Sequence, residues 1–329
     1  MPNRAAATTI VRRTPTVEYT DARAQAVHCW FDVDRVPRNP SATLWKRRAR
    51  WAQAQWRTAL GYQIGSQPYG GGPNSTPVGS RLELSFARES GANFITPGAR
   101  AAVRARLAAP EPNQTLNEDR LWADLLSSMP LCFNLFGDLE GDAAARAVRA
   151  WWPEAPPGKV CVRFEHSPGR RDQAFLGNRS AFDAAFDIDT AHGTRGVVGV
   201  ETKYHEHPKV ERAPRAAALA RYVEVTERAR IFAEGWREQI IGTDLQQIWL
   251  DHLLVLAMLQ HPSKRWVWGK FVLVYPAKNP AFAAAVARYA AILADNESTF
   301  EARTLEDLVA VPGALSSGTA NAFHARYLG

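Results

Sequence analysis

Three short segments between residues 159 and 204 alternate apolar and polar residues, and turn-forming residues separate them. The segments are KVCVRFEH (159–166), RSAFDAAFDI (179–188) and RGVVGVETKY (195–204). Alternation with a period of two is typical of strands with one buried face, so we predict three consecutive β-strands. Two of these strands also place carboxylates where a buried strand usually has Val or Ile. Any fold for this chain must therefore accommodate charged groups within a buried sheet.

Helical patterns lie on both sides of these strands. The segment WVWGKFVLVYP (266–276) is too apolar for an edge and predicts a central buried strand, and TFEART predicts a last strand. Asn279 as N-cap and Pro280 at the first position predict the start of another helix. The remaining helices are predicted over 42–60, 142–157, 215–232 and 244–260, with a short closing helix at TLEDLVAV. This order predicts an α/β domain built on one mixed sheet.

Two Pro-rich segments mark connections in the first half of the chain. SQPYGGGPNSTPVGS (66–80) predicts a loop, and it is not a Walker loop because no Gly-Lys-Ser/Thr follows its glycines. The prolines of LAAPEPNQ (107–114) break a helix that ends near Leu107. We therefore predict a basic N-terminal region over 1–112 and a core domain over 113–329.

The positive charge is concentrated at the N-terminal end. The first 60 residues hold 11 Lys and Arg and 4 Asp and Glu, which accounts for the net charge of +7. This concentration favours a polyanionic partner, most often nucleic acid, although a solubilising surface has the same composition. The chain has no apolar run long enough to span a membrane and no secretion signal near its start, so we expect a cytoplasmic protein without a membrane partner.

The predicted helix over 42–60 is amphipathic. Its expected apolar stripe comprises Trp45, Ala49, Ala52, Trp56 and Leu60. The basic residues beside this stripe that could contact phosphates are Lys46, Arg47, Arg50 and Arg57. A solvated basic face is the alternative.

The three cysteines are isolated in apolar segments. Cys29, Cys132 and Cys161 are odd in number and lack the spacing of a zinc site, so we expect buried side chains and no disulfide.

The carboxylates of the second and third strands can meet. Asp183 and Asp187 share one face of their strand, and Glu201 and Lys203 share one face of the next. Two carboxylates in a partly dry site repel each other unless cations are supplied, and Lys203 offsets only one charge. A hard divalent ion such as Mg²⁺ or Mn²⁺ would offset the rest and would activate water for hydrolysis of a phosphodiester. An ordinary ion pair is the alternative, since Glu-x-Lys alone is a weak signal.

Several blocks in the same order resemble a known family. An Asp on one strand followed by Glu-x-Lys on the next resembles the PD-(D/E)XK nuclease superfamily, which has the restriction-endonuclease-like fold. The blocks LCFNLFG, FEHSPGRRD, LGNRSAFDAAF, GVVGVETKYHE, LQQIWLDHLL and VGSRLELSFARESGANFITP together resemble a bacterial branch of it, over roughly residues 61–308. The resemblance implies a core of helix, three strands, helix and strand, with a mixed central sheet flanked by helices and a basic N-terminal helical extension.

The resemblance also implies roles for individual residues. Asp183 and Glu201 would bind the metal, and Lys203 would orient or activate the attacking water and stabilise the transition state. Asp187 is the main rival of Asp183 for the first ligand position. The first helix of the core often adds an acidic ligand, for which Glu118 is the candidate.

Two glutamates and one glutamine have alternative roles. Glu118 is also placed to form a capping box with Thr115, and Glu165 either reaches the metal or pairs with Arg163. Gln247 would hold substrate or water near the site, with its neighbour Gln246 as the alternative.

The loops beside the predicted strands contribute histidines and arginines. His205 and His207 could bind a metal, but the spacing beside Pro208 favours a loop. The arginines that could bind phosphate around the carboxylates are Arg170, Arg171 and Arg179, with a solvated turn as the alternative.

We thus predict a Mg²⁺-dependent endonuclease or exonuclease that acts on DNA in restriction, defence or repair. The alternatives are a nucleic-acid-binding protein that keeps the fold without cleavage, and a structural protein whose charges form ion pairs. Many relatives act as homodimers, and the sequence leaves open the oligomeric state and the choice between DNA and RNA.

Overall fold

A computed structural model of the chain describes residues 18–29, 40–114, 116–191, 193–294 and 298–329. Its strands are β1 (Ile64–Gln67), β2 (Thr76–Leu82), β3 (Gly158–His166), β4 (Phe182–Thr190), β5 (Arg195–Thr202), β6 (Trp266–Tyr275) and β7 (Phe300–Thr304).

The helices before the large sheet are α1 (Asp21–Ala26), α2 (Pro40–Ala59), α3 (Leu84–Ser90), α4 (Pro97–Ala108), α5 (Glu118–Ala123), α6 (Ser128–Phe136) and α7 (Asp142–Trp151). Those that follow β5 are α8 (Ala216–Ala229), α9 (Trp236–Ile240), α10 (Gln246–Leu259), α11 (Pro280–Ile292), α12 (Leu305–Ala310) and α13 (Ser317–Phe323), and a π-helix spans His324–Leu328.

Five strands form one mixed sheet in the order β3-β4-β5-β6-β7. β3, β4 and β5 are antiparallel neighbours, whereas β6 and β7 run parallel to β5. The three predicted consecutive strands are confirmed, and β6 lies between two strands with most of its residues buried, as its apolar sequence predicted. The mixed sheet flanked by helices confirms the predicted α/β class and agrees with a restriction-endonuclease-like fold.

The two faces of this sheet pack against different helices. On one face Phe186 and Val198 belong to a hydrophobic cluster with α6 and α7. On the other face Ala185 and Val197 pack with α8, α10 and α11. Because side chains alternate along a strand, the odd-numbered residues of β4 and β5 face α10. The predicted catalytic side chains are odd-numbered, so they lie on the α10 side.

The stretch predicted as a loop over 66–80 contains part of a hairpin. Gly65 pairs with Val78, and Gln67 pairs with Thr76, so strands β1 and β2 enclose the Gly- and Pro-rich turn. Gly65 is required there because a Cβ would lie 2.1 Å from the carbonyl oxygen of Leu82. The composition identified the turn, but the flanking strands are too short for alternation to reveal them.

Helix α2 is present as predicted, but it buries a different side. Arg57, expected beside the apolar stripe, is buried together with Gln53, Ala49 and Ala54, whereas Leu60, expected in the stripe, lies beyond the helix and is 49% exposed. Gln53 donates through Nε2 to the hydroxyl of Tyr204 at 3.0 Å. Polar side chains therefore turn inward here because the core offers them hydrogen-bond partners.

Two local predictions are wrong. Asn117, rather than Thr115, caps α5 by accepting a hydrogen bond from the backbone N–H of Arg120 at 2.9 Å, and Thr115 lies outside the described residues. Cys161 is exposed, because it lies on the edge strand β3. Cys29 and Cys132 are buried and no disulfide joins the cysteines, as expected.

The predicted domain boundary at residue 112 lies four residues after the end of α4 at Ala108, within the Pro-rich segment. Phe94 and Val103, before the boundary, share one hydrophobic cluster with Leu121 and Val272, after it. The division at 112 stays a prediction. Among the described helices, none has both the length and the apolar character needed to cross a bilayer.

Candidate active site

Three carboxylates form a row across the antiparallel part of the sheet. Phe164, Ala184 and Val200 lie side by side on β3, β4 and β5. Extending this register by one residue brings Glu165, Asp183 and Glu201 next to one another, although Glu165 itself is skipped in the pairing of β3 with β4. Neighbouring strands lie roughly 4.8 Å apart, and residues directly opposite each other share a face. The prediction that carboxylates from adjacent strands meet therefore agrees with the register.

Glu201 is the centre of a hydrogen-bonded group. The ammonium Nζ of Lys203 donates to Glu201 Oε1 at 2.6 Å, and both residues are only 8% exposed. Gln247, on α10, donates to the same oxygen through Nε2 at 3.4 Å. Gln246 points elsewhere and donates to Glu211 and to the carbonyl oxygen of Arg212. The structure thus brings Glu201, Lys203 and Gln247 together and leaves Gln246 outside the group.

Asp183 is fixed against the end of β5. Its Oδ2 accepts hydrogen bonds from the backbone N–H of Thr202 at 2.8 Å and from the hydroxyl of Thr202 at 2.6 Å. Burial raises the pKa of Asp183, and Lys203 and the Thr202 hydrogen bonds oppose that rise. The carboxylate is consequently oriented by the neighbouring strand rather than by water.

Two further carboxylates flank this group without partners of their own. Within the described part of the chain, neither Glu165 nor Asp251 has a hydrogen bond or ion pair to its carboxylate. Burial, together with Asp183 and Glu201, raises the pKa of Glu165 to about 8. Burial and Glu201 raise the pKa of Asp251 well above its usual value. Asp251 lies one turn after Gln247 on α10, and this i, i+4 spacing is the sequence signal that could have found it.

The carboxylates of this site outnumber its one ammonium group, Lys203, so their charges do not balance without a further cation. Burial, followed by Asp183, raises the pKa of Glu201 to about 7, although Lys203 opposes the rise. Burial alone would lower the pKa of Lys203, but Glu201 and the other carboxylates raise it, so Lys203 is an ammonium. The oxygen donors and the excess negative charge therefore fit a hard divalent cation.

Among the described residues, no group of three or more His, Cys, Asp or Glu side chains is arranged to hold a metal ion. Mg²⁺ usually binds proteins through one or two carboxylates and fills its other positions with water and substrate phosphate. The pair formed by Asp183 and Glu201 meets this smaller requirement.

The other two predicted metal ligands lie apart from the row. Asp187 is four residues further along β4, roughly 13 Å from Asp183 at about 3.3 Å per residue, and accepts a hydrogen bond from Arg163 Nε at 2.7 Å. Glu118 is exposed in the first turn of α5 and has no hydrogen bond or ion pair with any residue that the structure describes. Asp187 shares a face of β4 with Asp183 but lies too far along the strand to join the carboxylate row. Glu118 follows the N-cap residue Asn117, and its side chain is exposed to solvent.

Comparison with known proteins agrees with this geometry. A family model of the PD-(D/E)XK nuclease superfamily matches residues 40–329, which is nearly the whole chain. The chain belongs to the PD-(D/E)XK nuclease superfamily. Neither the curated proteins nor the solved structures gave a match. Asp183, Glu201 and Lys203, the residues predicted from the superfamily motif, lie within the matched range.

The raised carboxyl pKa values of this PD-(D/E)XK site predict a pH dependence of stability. Without metal, the free energy of unfolding should fall as pH rises from 6.5 to 8, because the unfolded chain ionises Glu165 and Glu201 near pH 4.5 while the folded protein keeps them partly protonated. Burial lowers the pKa of His252 to about 3, so below pH 6.5 this histidine makes the free energy of unfolding rise with pH instead. Urea unfolding in EDTA measures the effect.

The matched comparison is Glu165→Gln, which cannot ionise at that position. The wild-type protein should lose stability relative to this variant across the same pH range, and Mg²⁺ should restore it. Parallel pH profiles for the two proteins would contradict the prediction.

The two histidines after the motif lysine pack in the loop that follows β5. His205 Nδ1 lies 3.0 Å from the carbonyl oxygen of Leu126, and His207 Nδ1 contacts the ammonium of Lys46. Burial lowers the pKa of both histidines. The structure thus places them in a packed loop, as the sequence favoured, and not in the carboxylate row.

Two arginines predicted to bind phosphate are buried instead. Arg57 donates to the carbonyl oxygens of Gly79 at 3.1 Å and Tyr62 at 2.9 Å. The side chain of Arg170 is 6% exposed, and it donates to the carbonyl oxygen of Glu165 at 2.6 Å. Their hydrogen bonds inside the protein leave neither guanidinium available to a polyanion, so the sequence prediction is wrong for both.

The remaining basic residues of the sequence prediction are half-buried or exposed. Lys46, Arg47 and Arg50 are half-buried on α2, while Arg171 and Arg179 are exposed beside the β3–β4 connection. Arg47 also contacts Asp21 at 3.5 Å. A hydrogen bond joins α2 to the end of β5, because Trp45 Nε1 donates to the carbonyl oxygen of Tyr204 at 3.1 Å. The basic helix therefore borders the edge of the sheet that carries the superfamily motif.

Proposed function

We propose that this chain is a metal-dependent nuclease that hydrolyses phosphodiester bonds, with DNA as the substrate. The observation that carries the proposal is the hydrogen-bonded pair of Glu201 and Lys203 beside the buried carboxylate of Asp183 at one edge of the sheet, where carboxylates outnumber cations. A structural ion pair needs equal charges, whereas this group keeps an excess of negative charge in a partly buried position. Superfamily membership points to the same chemistry.

The residues divide the catalytic work by their charge. Asp183 and Glu201 would hold Mg²⁺ or Mn²⁺, which when bound polarises the phosphate and lowers the pKa of water. Lys203, being an ammonium, cannot accept a proton, so it donates hydrogen bonds to the phosphate oxygens as negative charge develops. Gln247, exposed at the start of α10, keeps one N–H in reach of Glu201 and can donate the other to substrate or water.

The basic residues near this edge favour a polyanionic substrate. The pKa of Lys46 is lowered by burial and then by Arg50 and Lys209, which indicates three positive groups close together. Exposed Arg171 and Arg179 add charge near the connection between β3 and β4. Such a positive rim attracts phosphates that the carboxylates alone would repel.

An aromatic cavity beside α2 also supports nucleic acid as the partner. It has a volume of about 620 Å³, and its lining includes Trp45, Trp51, Tyr204 and Arg48. Aromatic rings and guanidinium groups are the surfaces on which unpaired bases stack. A homodimer and a cytoplasmic location stay predictions.

Cleavage assays test the proposal. Plasmid DNA, single-stranded DNA and RNA would each be incubated with the protein in Mg²⁺, Mn²⁺ or EDTA, and we expect DNA cleavage in either metal and none in EDTA. Binding of DNA without cleavage in any metal would support the alternative, a nucleic-acid-binding protein that keeps the fold. Cleavage of RNA alone would replace the substrate and keep the chemistry.

A matched pair of variants on β4 tests the metal ligand. Asp183→Asn should weaken Mn²⁺ binding by about 10-fold or more, because an amide replaces a charged ligand, whereas Asp187→Asn should leave it within about twofold. Isothermal titration calorimetry measures both affinities without relying on cleavage. Equal losses, or a larger loss for Asp187→Asn, would refute the assignment of Asp183.

A further inference from the structure

Glu165 has a backbone conformation that is rare for its residue type. It is the penultimate residue of β3, and its φ is +49°, in the left-handed region. Non-glycine residues seldom adopt this conformation, and surrounding contacts must hold them in it. The residue occupies the end of the carboxylate row, between the paired positions Phe164–Ala184 and His166–Phe182 of β3 and β4.

Two guanidinium groups bind the main chain at this point. Arg170 donates to the carbonyl oxygen of Glu165 at 2.6 Å, and Arg106, on α4, donates to it at 3.3 Å. Arg106 also donates to the carbonyl oxygen of Phe164 at 2.7 Å. Fixed, planar donors on two successive carbonyl groups restrict the rotation of the peptide between them.

A carboxylate holds the arginines in turn. Glu111 Oε2 accepts a hydrogen bond from Arg170 and lies 3.9 Å from the guanidinium of Arg106. Glu111 Oε1 lies 2.5 Å from His166 Nδ1, and Oε2 accepts a hydrogen bond from the backbone N–H of Ser167 at 3.2 Å. This group binds the backbone on both sides of Glu165, and none of its members binds the carboxylate of Glu165. The carboxylate of Glu165 therefore faces only the carboxylates of Asp183 and Glu201 in the row.

We propose that Glu165 is a working acid of the metal site, and that Arg106 and Arg170 are positioning residues that hold it there through its backbone carbonyl. The inference rests on the proposed function and adds a third strand to the site. Glu165 supplies negative charge and oxygen atoms that bind water beside the cation held by Asp183 and Glu201. Arg170 thereby has a role in place of phosphate binding.

Metal affinity in a double-mutant cycle tests the proposal. Glu165→Gln removes the charge and keeps the shape, and we expect it to weaken Mn²⁺ binding by about 10- to 100-fold, as loss of an outer partner of a metal site does. Arg170→Lys keeps the pairing charge for Glu111, but one ammonium cannot span both acceptors, so it should weaken binding by about threefold or more. In the Glu165→Gln background, the same Arg170→Lys change should have no further effect.

Arg163→Lys is the matched control, since it lies on the same strand and contacts Asp187 outside the row. It should leave Mn²⁺ affinity unchanged. Unchanged affinity in Glu165→Gln, or an equal loss from Arg170→Lys in both backgrounds, would overturn the proposal. If Arg170→Lys does not unfold cooperatively, Arg106→Lys replaces it in the same cycle.

These outcomes separate the inference from the proposed function. A large loss of affinity in Asp183→Asn together with unchanged affinity in Glu165→Gln would remove the inference alone. Unchanged affinity in Asp183→Asn would remove the metal site as a whole.

Discussion

Replacing Lys203 by Met should lower the rate of metal-dependent DNA cleavage by about 10³-fold while metal affinity stays equal or rises. Removal of one preorganised donor to developing charge costs roughly 10² to 10³ in rate, and Lys203 carries a full charge as well. The ammonium also competes with the cation for Glu201, because it donates to Glu201 Oε1 at 2.6 Å. Its loss therefore removes catalysis without removing the metal ligands.

Lys270→Met is the matched control for this prediction. Lys270 is another buried lysine of the same sheet, 8% exposed and paired with Glu154 and Glu301, but it lies opposite Val198, at mid-strand, outside the carboxylate row. Cleavage by this variant should stay close to the wild-type rate once both proteins are shown to be folded. Single-turnover rates and calorimetric Mn²⁺ affinities provide the two readouts. Wild-type cleavage in Lys203→Met, or a parallel loss of metal affinity, would contradict the proposed role.

The position of the candidate site was predictable because its geometry follows from short-range rules. Alternation placed Glu201 and Lys203 on one face, and a hairpin between adjacent strands needs no knowledge of distant parts of the chain. Gln247 required the resemblance as well, since an exposed glutamine on a helix has no signal of its own. The buried position of β6 was likewise predictable from its apolar run.

The errors arose where long-range contacts decide the outcome. Arg57 and Arg170 have ordinary surface sequences, and each is buried in part through a partner about 20 residues away or more, Gly79 for Arg57 and Glu111 for Arg170. Asp187 shares a face with Asp183, but alternation does not indicate which end of the strand forms the site. Asp251 lies 50 residues after Glu201, so only its i, i+4 spacing from Gln247 connects it with the site. Polar groups that depend on tertiary partners are consequently the hardest part of such a site to predict.

A buried arginine near the end of the chain connects the C-terminal segment to the catalytic edge of the sheet. Arg326, in the π-helix, is 2% exposed and has no carboxylate partner among the residues that the structure describes. It donates to the backbone oxygen of Asn93 at 2.5 Å, to Asn93 Oδ1 at 2.6 Å and to Gln53 Oε1 at 3.1 Å. The guanidinium also lies over the ring of Trp56, at 4.3 Å from its centroid. Gln53 in turn donates to the hydroxyl of Tyr204, the residue after Lys203.

Arg326→Met should lower the free energy of unfolding by about 3 kcal/mol. The substitution keeps most of the volume but leaves Asn93 Oδ1 and Gln53 Oε1 without donors and removes one of the two donors to the backbone oxygen of Asn93. Each lost hydrogen bond costs roughly 1 kcal/mol or more. Urea unfolding should show a lower midpoint with an unchanged slope. Arg88→Met removes an exposed ion pair with Asp119, with side chains 48% and 42% exposed, and should change stability by about 0.5 kcal/mol or less.

A loss of less than about 1 kcal/mol in Arg326→Met would mean that water or neighbouring groups satisfy these acceptors. The two measurements also separate folding from catalysis. The network of Arg326 reaches Tyr204 through Gln53 but includes neither Lys203 nor the carboxylate row. Arg326→Met should therefore lower cleavage only where it lowers the folded fraction, whereas Lys203→Met should lower cleavage in fully folded protein.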